Sequence, residues 1–331
     1  MAPWDSSARA HDAPSTPRPP ILSSGAAAGH ACVVANPTAV GFVASEWPAL
    51  QSYLRAQLGA CQFICTADAA RAREEIAAAC DARCSLLVVV GGDGTIQLAL
   101  DAIAGRDIPL ALVPIGTAND FARSVGGGAS LRLAQRLIDV GGAVDLISLN
   151  GKRFCTTGCL GVPGEVMQGV QTLRRLQPLR PWLRRLGPWI YPALALQRLV
   201  QLGPVRRRYR ITTLEDEATA LRTVEVHAGA LFVSNQSRLG ATLLVSPHAD
   251  NRDGKFELTA VVAQTRGGLL RVLGDMLSGK PPNGADVVRL EATRATIACD
   301  AEQTFFADGE SLTTASEFRL QILPAALRLG R

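Results

Sequence analysis

The sequence predicts an α/β fold: a parallel sheet flanked by helices in the N-terminal part, then a C-terminal β-rich part of largely antiparallel sheet. Three observations predict it. Short apolar runs alternate with segments of helical period between Ala31 and Val113. Two of those runs end in glycine-rich loops that lead directly into a helix. After about Val144 the alternation gives way to many short β-like segments.

The first element is the apolar run Ala31–Ala35. Leu50, Tyr53, Leu54 and Leu58 then recur at helical spacing. Gln62–Thr66 reads as a strand and the alanine-rich stretch Ala67–Ala79 as a helix. Leu86–Val90 is continuously apolar, as in a strand covered on both faces. Ile96–Ala104 is helical in period and Pro109–Val113 is strand-like. This order is that of a parallel sheet with crossover helices. Beyond Val144, β-like segments are expected at Arg153–Cys159, Val205–Thr213, Thr223–Ser234, Lys255–Val262, Thr293–Ala298 and Thr304–Ala307. Helices are expected at Val166–Leu176, Trp182–Leu202 and Gly267–Leu277. Residues 1–29 are rich in Ala, Pro and Ser without periodicity and read as a disordered tail. The expected division is 1–29 as tail, 30–143 as the α/β domain completed by 316–331, and 144–315 as the β-rich domain.

Composition narrows the function classes. The apolar fraction of 47% supplies an ample core, and the net charge of +5 is modest. The cations are 31 arginines and three lysines, none of the latter before Lys152. A phosphate site in the first half must therefore use backbone amides, arginine or a metal. The eight cysteines form no CxxC motif and read as small core residues of a cytoplasmic chain. No signal peptide is visible and the longest apolar stretch, about Leu186–Leu196, is too short to span a bilayer.

Gly91-Gly92-Asp93-Gly94-Thr95 follows a strand and opens a helix. Glycines there admit a phosphate close to the backbone, and the helix N-terminus offers unpaired N–H groups. The motif lacks the lysine and spacing of a Walker A loop. Pro114-Ile115-Gly116-Thr117-Ala118-Asn119-Asp120-Phe121-Ala122-Arg123 follows the next strand in the same way. Two such loops at one sheet edge indicate a nucleotide cleft, since ligands of open α/β sheets bind at the carboxyl edge. Thr95 and Thr117 can donate to phosphate and Arg123 can neutralise it; Asn119 and Asp120 equally suit a helix cap. On composition, Asp253-Gly254 and Asp308-Gly309-Glu310 read as solvated hairpin turns.

The four motifs GGDGT, PIGTANDFAR, PHADNRDG and DGE, in this order, resemble the diacylglycerol kinase catalytic-domain family and, within it, the bacterial YegS-type lipid kinases. The resemblance runs over residues 31–328, with DGESL and QILPAALR at its C-terminal end. It implies ATP between the two domains and a last strand that returns to the first. By matching position it implies that Gly91, Gly92, Asp93, Gly94 and Thr95, with the following Ile96 and Gln97, hold the ATP phosphates, Asp93 acting through Mg²⁺. Thr66 and Thr117 match further nucleotide contacts, and Glu310 matches the general base for a lipid hydroxyl. A structural Mg²⁺ is implied at the Asp253 side chain and the backbone carbonyls of Asp250 and Lys255, with Asp145 linked through water. The chain departs from the pattern at Asn36–Gly41, at Gln97 and Thr156 where the family favours asparagine, and at Gly240, the remnant of a glycine-rich stretch.

Residues 171–210 hold ten arginines and no acid, interleaved with Trp182, Trp189 and Tyr191. The expectation is a peripheral contact with an anionic membrane surface at its inner face, with no nucleic-acid partner. The expected activity is ATP-dependent phosphorylation of a glycerolipid hydroxyl, such as that of diacylglycerol or phosphatidylglycerol. NAD kinase, sphingoid-base kinase and a catalytically silent lipid-binding module are the alternatives. The sequence leaves the oligomeric state open, a homodimer included.

Overall fold

The computed structural model describes residues 30–126, 141–175, 194, 197, 206–215, 220–240, 242–282 and 284–330. The expected N-terminal tail and most of the arginine-rich segment, with all of the expected helix Trp182–Leu202 but residues 194 and 197, lie outside them. Of that segment's arginines within them, Arg207 pairs with Glu165 at 2.7 Å, Arg208 with Asp300 at 2.9 Å and Arg210 with Glu225 at 2.8 Å, and Arg206 donates to Gln264 O at 2.9 Å.

The N-terminal part follows the expected alternation. Strand β1 (Ala31–Ala35), helix α1 (Trp47–Leu58), β2 (Cys61–Cys65), α2 (Ala69–Asp81), β3 (Leu86–Gly91), α3 (Asp93–Ile103), β4 (Leu110–Pro114) and the short α4 (Asp120–Ser124) succeed one another. The four strands pair in parallel in the order β4-β3-β1-β2. Helix α2 begins at Asp68, whose carboxylate accepts from the amides of Ala70 and Arg71. That cap outweighs helix propensity at Ala67 and places the start two residues later than the alanine run suggests. Helix α3 starts at Asp93 rather than at Ile96, because Gly92 is extended and ends the preceding strand's backbone direction.

The remaining strands are β5 (Gly142–Leu149), β6 (Lys152–Phe154), β7 (Thr157–Gly161), β8 (Arg207–Leu214), β9 (Arg222–Ala228), β10 (Ala230–Ser234), β11 (Arg238–Leu239), β12 (Leu243–Leu244), β13 (Phe256–Val261), β14 (Val287–Ala292), β15 (Arg294–Ala307) and β16 (Glu310–Leu329). Helix α5 (Val162–Arg175) and helix α6 (Arg266–Leu277) pack among them. The expected strand Arg153–Cys159 is two strands, and Thr223–Ser234 breaks at Gly229. Conversely, the segments 293–298 and 304–307 are one strand that carries a register shift between Ala298 and Gln303.

One sheet joins both parts in the order β14-β13-β10-β7-β15-β16-β4-β3-β1-β2. Strand β16 is the join. It pairs antiparallel with β15 and β5, then reaches β4 in parallel at Leu329. Two cores flank the parallel strands, one centred on Val89, Leu100 and Phe121 and the other on Val33, Leu54 and Val88. A third, with Phe154, Tyr209, Phe305 and Phe318, fills one face of the antiparallel strands. A fourth, with Phe232, Val261, Val272 and Met276, lies on the opposite face beneath α5 and α6.

Candidate active site

All four parallel strands present their following loops at one edge of the sheet. The loop after β1 is turned by Asn36, whose side-chain oxygen accepts from both the amide and the hydroxyl of Thr38 at 2.9 and 2.7 Å. Thr66, after β2, donates its amide to Ala35 and accepts from the amide of Asp68. The loops after β3 and β4 are in backbone contact. A Cβ on Gly92 would fall 2.8 Å from the Gly116 Cα, and a Cβ on Gly91 would fall 2.3 Å from Thr95 Oγ1. Glycine is required at both positions by close approach, not by dihedral angle. Asn119 sits at φ 51° and clips the second loop, accepting from Gly116 N at 2.8 Å and donating to Gly116 O at 3.1 Å.

Asp93 ties the two motifs together. Its carboxylate accepts from the amides of Asp120 at 3.1 Å and Phe121 at 3.0 Å, capping α4 from a different loop. Burial raises its pKa, against the lowering effect of those amides. Asn119 and Asp120 therefore do not cap α4 with their side chains. Asp120 instead reaches the second part of the chain, where its Oδ2 accepts from Gly240 N at 2.6 Å.

The Asp308-Gly309 turn is a two-residue hairpin with both residues at positive φ, 51° and 86°, as the mirror-image turns of tight hairpins require. It is not a solvated turn at Asp308. That side chain is buried and accepts from Cys155 N at 3.0 Å, Thr156 N at 2.9 Å and Thr156 Oγ1 at 2.5 Å. Burial pushes its carboxyl up to about 6; the donors at Thr156 and Cys155 oppose the shift and the Asp93 charge adds to it. Glu310, two residues on, is exposed and faces the first glycine motif: a Cβ on Gly94 would lie 3.6 Å from Glu310 Oε1. Motifs more than two hundred residues apart thus meet at the N-terminus of α3.

A cavity of about 190 Å³ opens beside them. At one end stand Asp93, Asp120, Thr156 and Asp308; the walls are apolar side chains of α5, β10, β13 and α6, among them Val166, Phe232, Val261 and Leu273.

The other expected residues fall as follows. Ile96 is 3% exposed and its side chain belongs to the core. Gln97 donates to Arg153 O at 2.7 Å and so bridges α3 to β6. Thr117 is half-buried in the loop after β4. Asp145 has both carboxylate oxygens on backbone amides, Ala325 and Gly254, each at 2.7 Å. Asp253 Oδ1 accepts from Lys255 N at 2.9 Å, and Asp250 Oδ1 from Arg252 N at 3.1 Å. Partial burial raises the Asp253 pKa, and the charges of Asp250, Asp145 and Glu291 add to it. Among the described residues no three acidic, histidine or cysteine side chains converge as a metal group. One carboxylate with two backbone carbonyls, in that negative field, is still a hard-oxygen donor set of the kind Mg²⁺ takes with retained waters.

Sequence reasoning assigned no role to Asp308 and treated Asp120 only as a helix cap. Both are acidic residues next to glycine or in a helix-opening loop, and nothing local distinguishes them from turn residues. Their burial depends on contacts with Thr156 and Gly240, far along the chain.

Comparison with known proteins bears on the family and the fold. Residues 30–149 match the diacylglycerol kinase catalytic domain, and residues 164–331 match the YegS C-terminal NAD kinase beta sandwich-like domain. A diacylglycerol kinase of Mycobacterium tuberculosis is 29% identical over 272 residues, covering 80% of this chain and 82% of its own. A probable lipid kinase YegS-like of Klebsiella pneumoniae is 30% identical over 246 residues, covering 73% and 76%. The crystal structure of a diacylglycerol kinase from Bacillus anthracis str. Sterne superposes with a TM-score of 0.67 at 19% identity, over 91% of this chain and 96% of that one. That structure shares the fold. The chain belongs to the YegS-like branch of the diacylglycerol kinase family, a family of lipid kinases.

Proposed function

We propose that this lipid kinase transfers the γ-phosphate of ATP to a hydroxyl of a glycerolipid such as diacylglycerol or phosphatidylglycerol. The observation that carries the reading is the meeting of Glu310 with the Gly94 turn at the polar end of an apolar cavity. A phosphate-binding helix start, a carboxylate and a lipid-compatible cavity then share one place.

In this reading residues 30–143, completed by the strand end at 316–331, bind MgATP, and residues 144–315 bind the lipid. The backbone of Gly91–Thr95 at the α3 N-terminus holds phosphate oxygens, helped by Thr66 and Thr117. Asp93 organises the metal that ATP brings, and Mg²⁺ there supplies charge neutralisation for phosphoryl transfer. Glu310 accepts the proton of the attacking hydroxyl. Asp253, with the carbonyls of Asp250 and Lys255, holds a second Mg²⁺ that stiffens the loop beside Asp145. The cavity shields the apolar part of the acceptor. The protein works at an anionic membrane surface on its cytoplasmic side.

The test is phosphorylation of a lipid panel by the purified chain with labelled ATP. Diacylglycerol and phosphatidylglycerol are expected to be labelled; NAD and sphingosine are not. Labelling of NAD or sphingosine alone would replace this reading.

A further inference from the structure

The pairing of β7 with β15 ends short of the turn that carries Glu310. Phe306 lies opposite Cys159 and Ala307 opposite Gly158, and there the ladder stops. Beyond it the Asp308 side chain reaches across to the residues that precede β7. Oδ2 accepts from Cys155 N at 3.0 Å and Cys155 Sγ at 3.5 Å, and Oδ1 accepts from Thr156 N at 2.9 Å and Thr156 Oγ1 at 2.5 Å. The carbonyls of the same two residues are held by Asn235. Its Nδ2 donates to Cys155 O at 3.1 Å and its amide to Thr156 O at 2.8 Å. Cys155 and Thr156 are thus bonded at amide and carbonyl alike, and both are buried, as is Asn235. They form a fixed platform from which Asp308 anchors the turn.

The amides of this platform are backbone groups that almost any residue would offer there. Of the side-chain donors, the Cys155 thiol is weak and distant. The Thr156 hydroxyl makes a short bond to a carboxylate, of the charge-assisted class that is roughly twice as strong as a neutral one. The negative charge of Asp93, at the same end of the cavity, acts against the placement of Asp308. The hydroxyl therefore holds the carboxylate where that charge opposes it. Glu310 follows with only Gly309 between, and its Oε1 lies 3.6 Å from the position of a Cβ on Gly94. A shift of Asp308 is passed along that short turn to Glu310. We propose, on the reading of Glu310 as the proton acceptor, that Thr156 is a positioning residue: through Asp308 it fixes the turn that holds the Glu310 carboxylate against the first glycine motif. Threonine then keeps a side-chain donor for Asp308 at a place where the family favours asparagine.

A double-mutant cycle with Glu310 separates positioning from packing. Phosphorylation of dioleoylglycerol and of dioleoyl-phosphatidylglycerol in detergent micelles is followed at saturating MgATP with the full chain. Thr156→Val keeps the shape and removes the hydroxyl; kcat is expected to fall ~10–100-fold, as a misplacement of about 1 Å costs, with KM for MgATP changed by less than about twofold. Thr156→Ser restores the donor and is expected to recover most of the rate. In the Glu310→Gln background, Thr156→Val is expected to change the remaining rate by less than about twofold, because the group it positions is gone. Calorimetry reports the fold of each variant. Should valine not fold, Thr156→Cys, close in size and a weaker donor, takes its place with a smaller loss in the same direction. Equal losses in the wild-type and Glu310→Gln backgrounds, or a serine variant as slow as the valine one, would overturn the positioning role and leave Thr156 a packing residue. Full activity of Glu310→Gln would instead reject Glu310 as the base, and with it the reading on which this role depends.

Discussion

Asp145 Oδ1 accepts the amide N–H of Ala325 at 2.7 Å, and Ala325 is held at φ 49°. Ala325 lies in the irregularity of β16 between Leu323 and Leu327, where its register against β5 shifts. The same carboxylate binds Gly254 N, and the Asp145 main chain is bonded to Asn251 O and Asn235 Nδ2. One buried side chain thus fixes both the bend that carries β16 toward β4 and the loop that carries Asp253.

Ala325→Gly relieves a left-handed conformation that costs an L-residue ~1–2 kcal/mol, offset in part by the greater entropy of glycine in the unfolded chain. A net gain of about 0.5–1 kcal/mol is expected, read by denaturant unfolding. Asp145→Ala takes the acceptor from the amides of Gly254, half-buried, and Ala325, exposed, which water can partly replace, and is expected to cost ~1–3 kcal/mol. A neutral Asp145→Ala would show that this staple is redundant.

Gly92→Ala brings a Cβ to 2.8 Å from backbone that cannot rotate away. The two phosphate-side loops must separate, at ~1–3 kcal/mol for such overpacking. MgATP affinity is expected to fall together with the melting temperature, measured by nucleotide titration and calorimetry on the same sample.

Asp308 supplies a pH signature. Its folded pKa of about 6 stands above the ordinary 3.8, so between those values the folded state binds more protons than the unfolded one. Stability carried by this group is present below pH 4 and is lost as pH rises through 6. Wild type is expected to lose stability relative to Asp308→Asn over that window, by on the order of 3 kcal/mol at 1.36 kcal/mol per unit. Parallel stability–pH curves for the two proteins would count against it. Protonation also removes an acceptor from Thr156 and Cys155, so activity is expected to fall below pH 6.

Asp93 and Glu310 are expected to fail differently. Asp93→Asn keeps one oxygen to accept from α4 but loses the charge that holds metal, so both MgATP binding and turnover drop. Glu310→Gln keeps MgATP binding while turnover falls by ~10²–10⁴. Full lipid phosphorylation by Glu310→Gln at saturating MgATP would remove it as the base.

Asp253→Ala takes away the one side-chain donor of the proposed second Mg²⁺ site. The expected outcome is loss of a Mg²⁺-dependent gain in melting temperature measured without nucleotide, with a lower rate. An unchanged Mg²⁺ titration would make Asp253 a turn residue only.

The sequence by itself determined the parallel unit and the residues at its edge. β1, β3 and β4 are uniform apolar runs and α1 to α3 carry a clear helical period, so local pattern and final structure agree there. GGDGT and PIGTAND were legible because glycine at close approach leaves a local signature. Tertiary structure alone decided the rest. β16 runs for twenty residues through alternating and bulged stretches that look like several segments in the sequence, and only its partners β15, β5 and β4 make it one strand. Asp308 reads as an ordinary turn residue and Asp145 stands out only through the resemblance, because burial of a carboxylate depends on donors supplied from elsewhere, Thr156 for one and Ala325 and Gly254 for the other. The cavity has no sequence signal, since its walls are apolar residues from four elements whose convergence only the sheet order and helix packing produce.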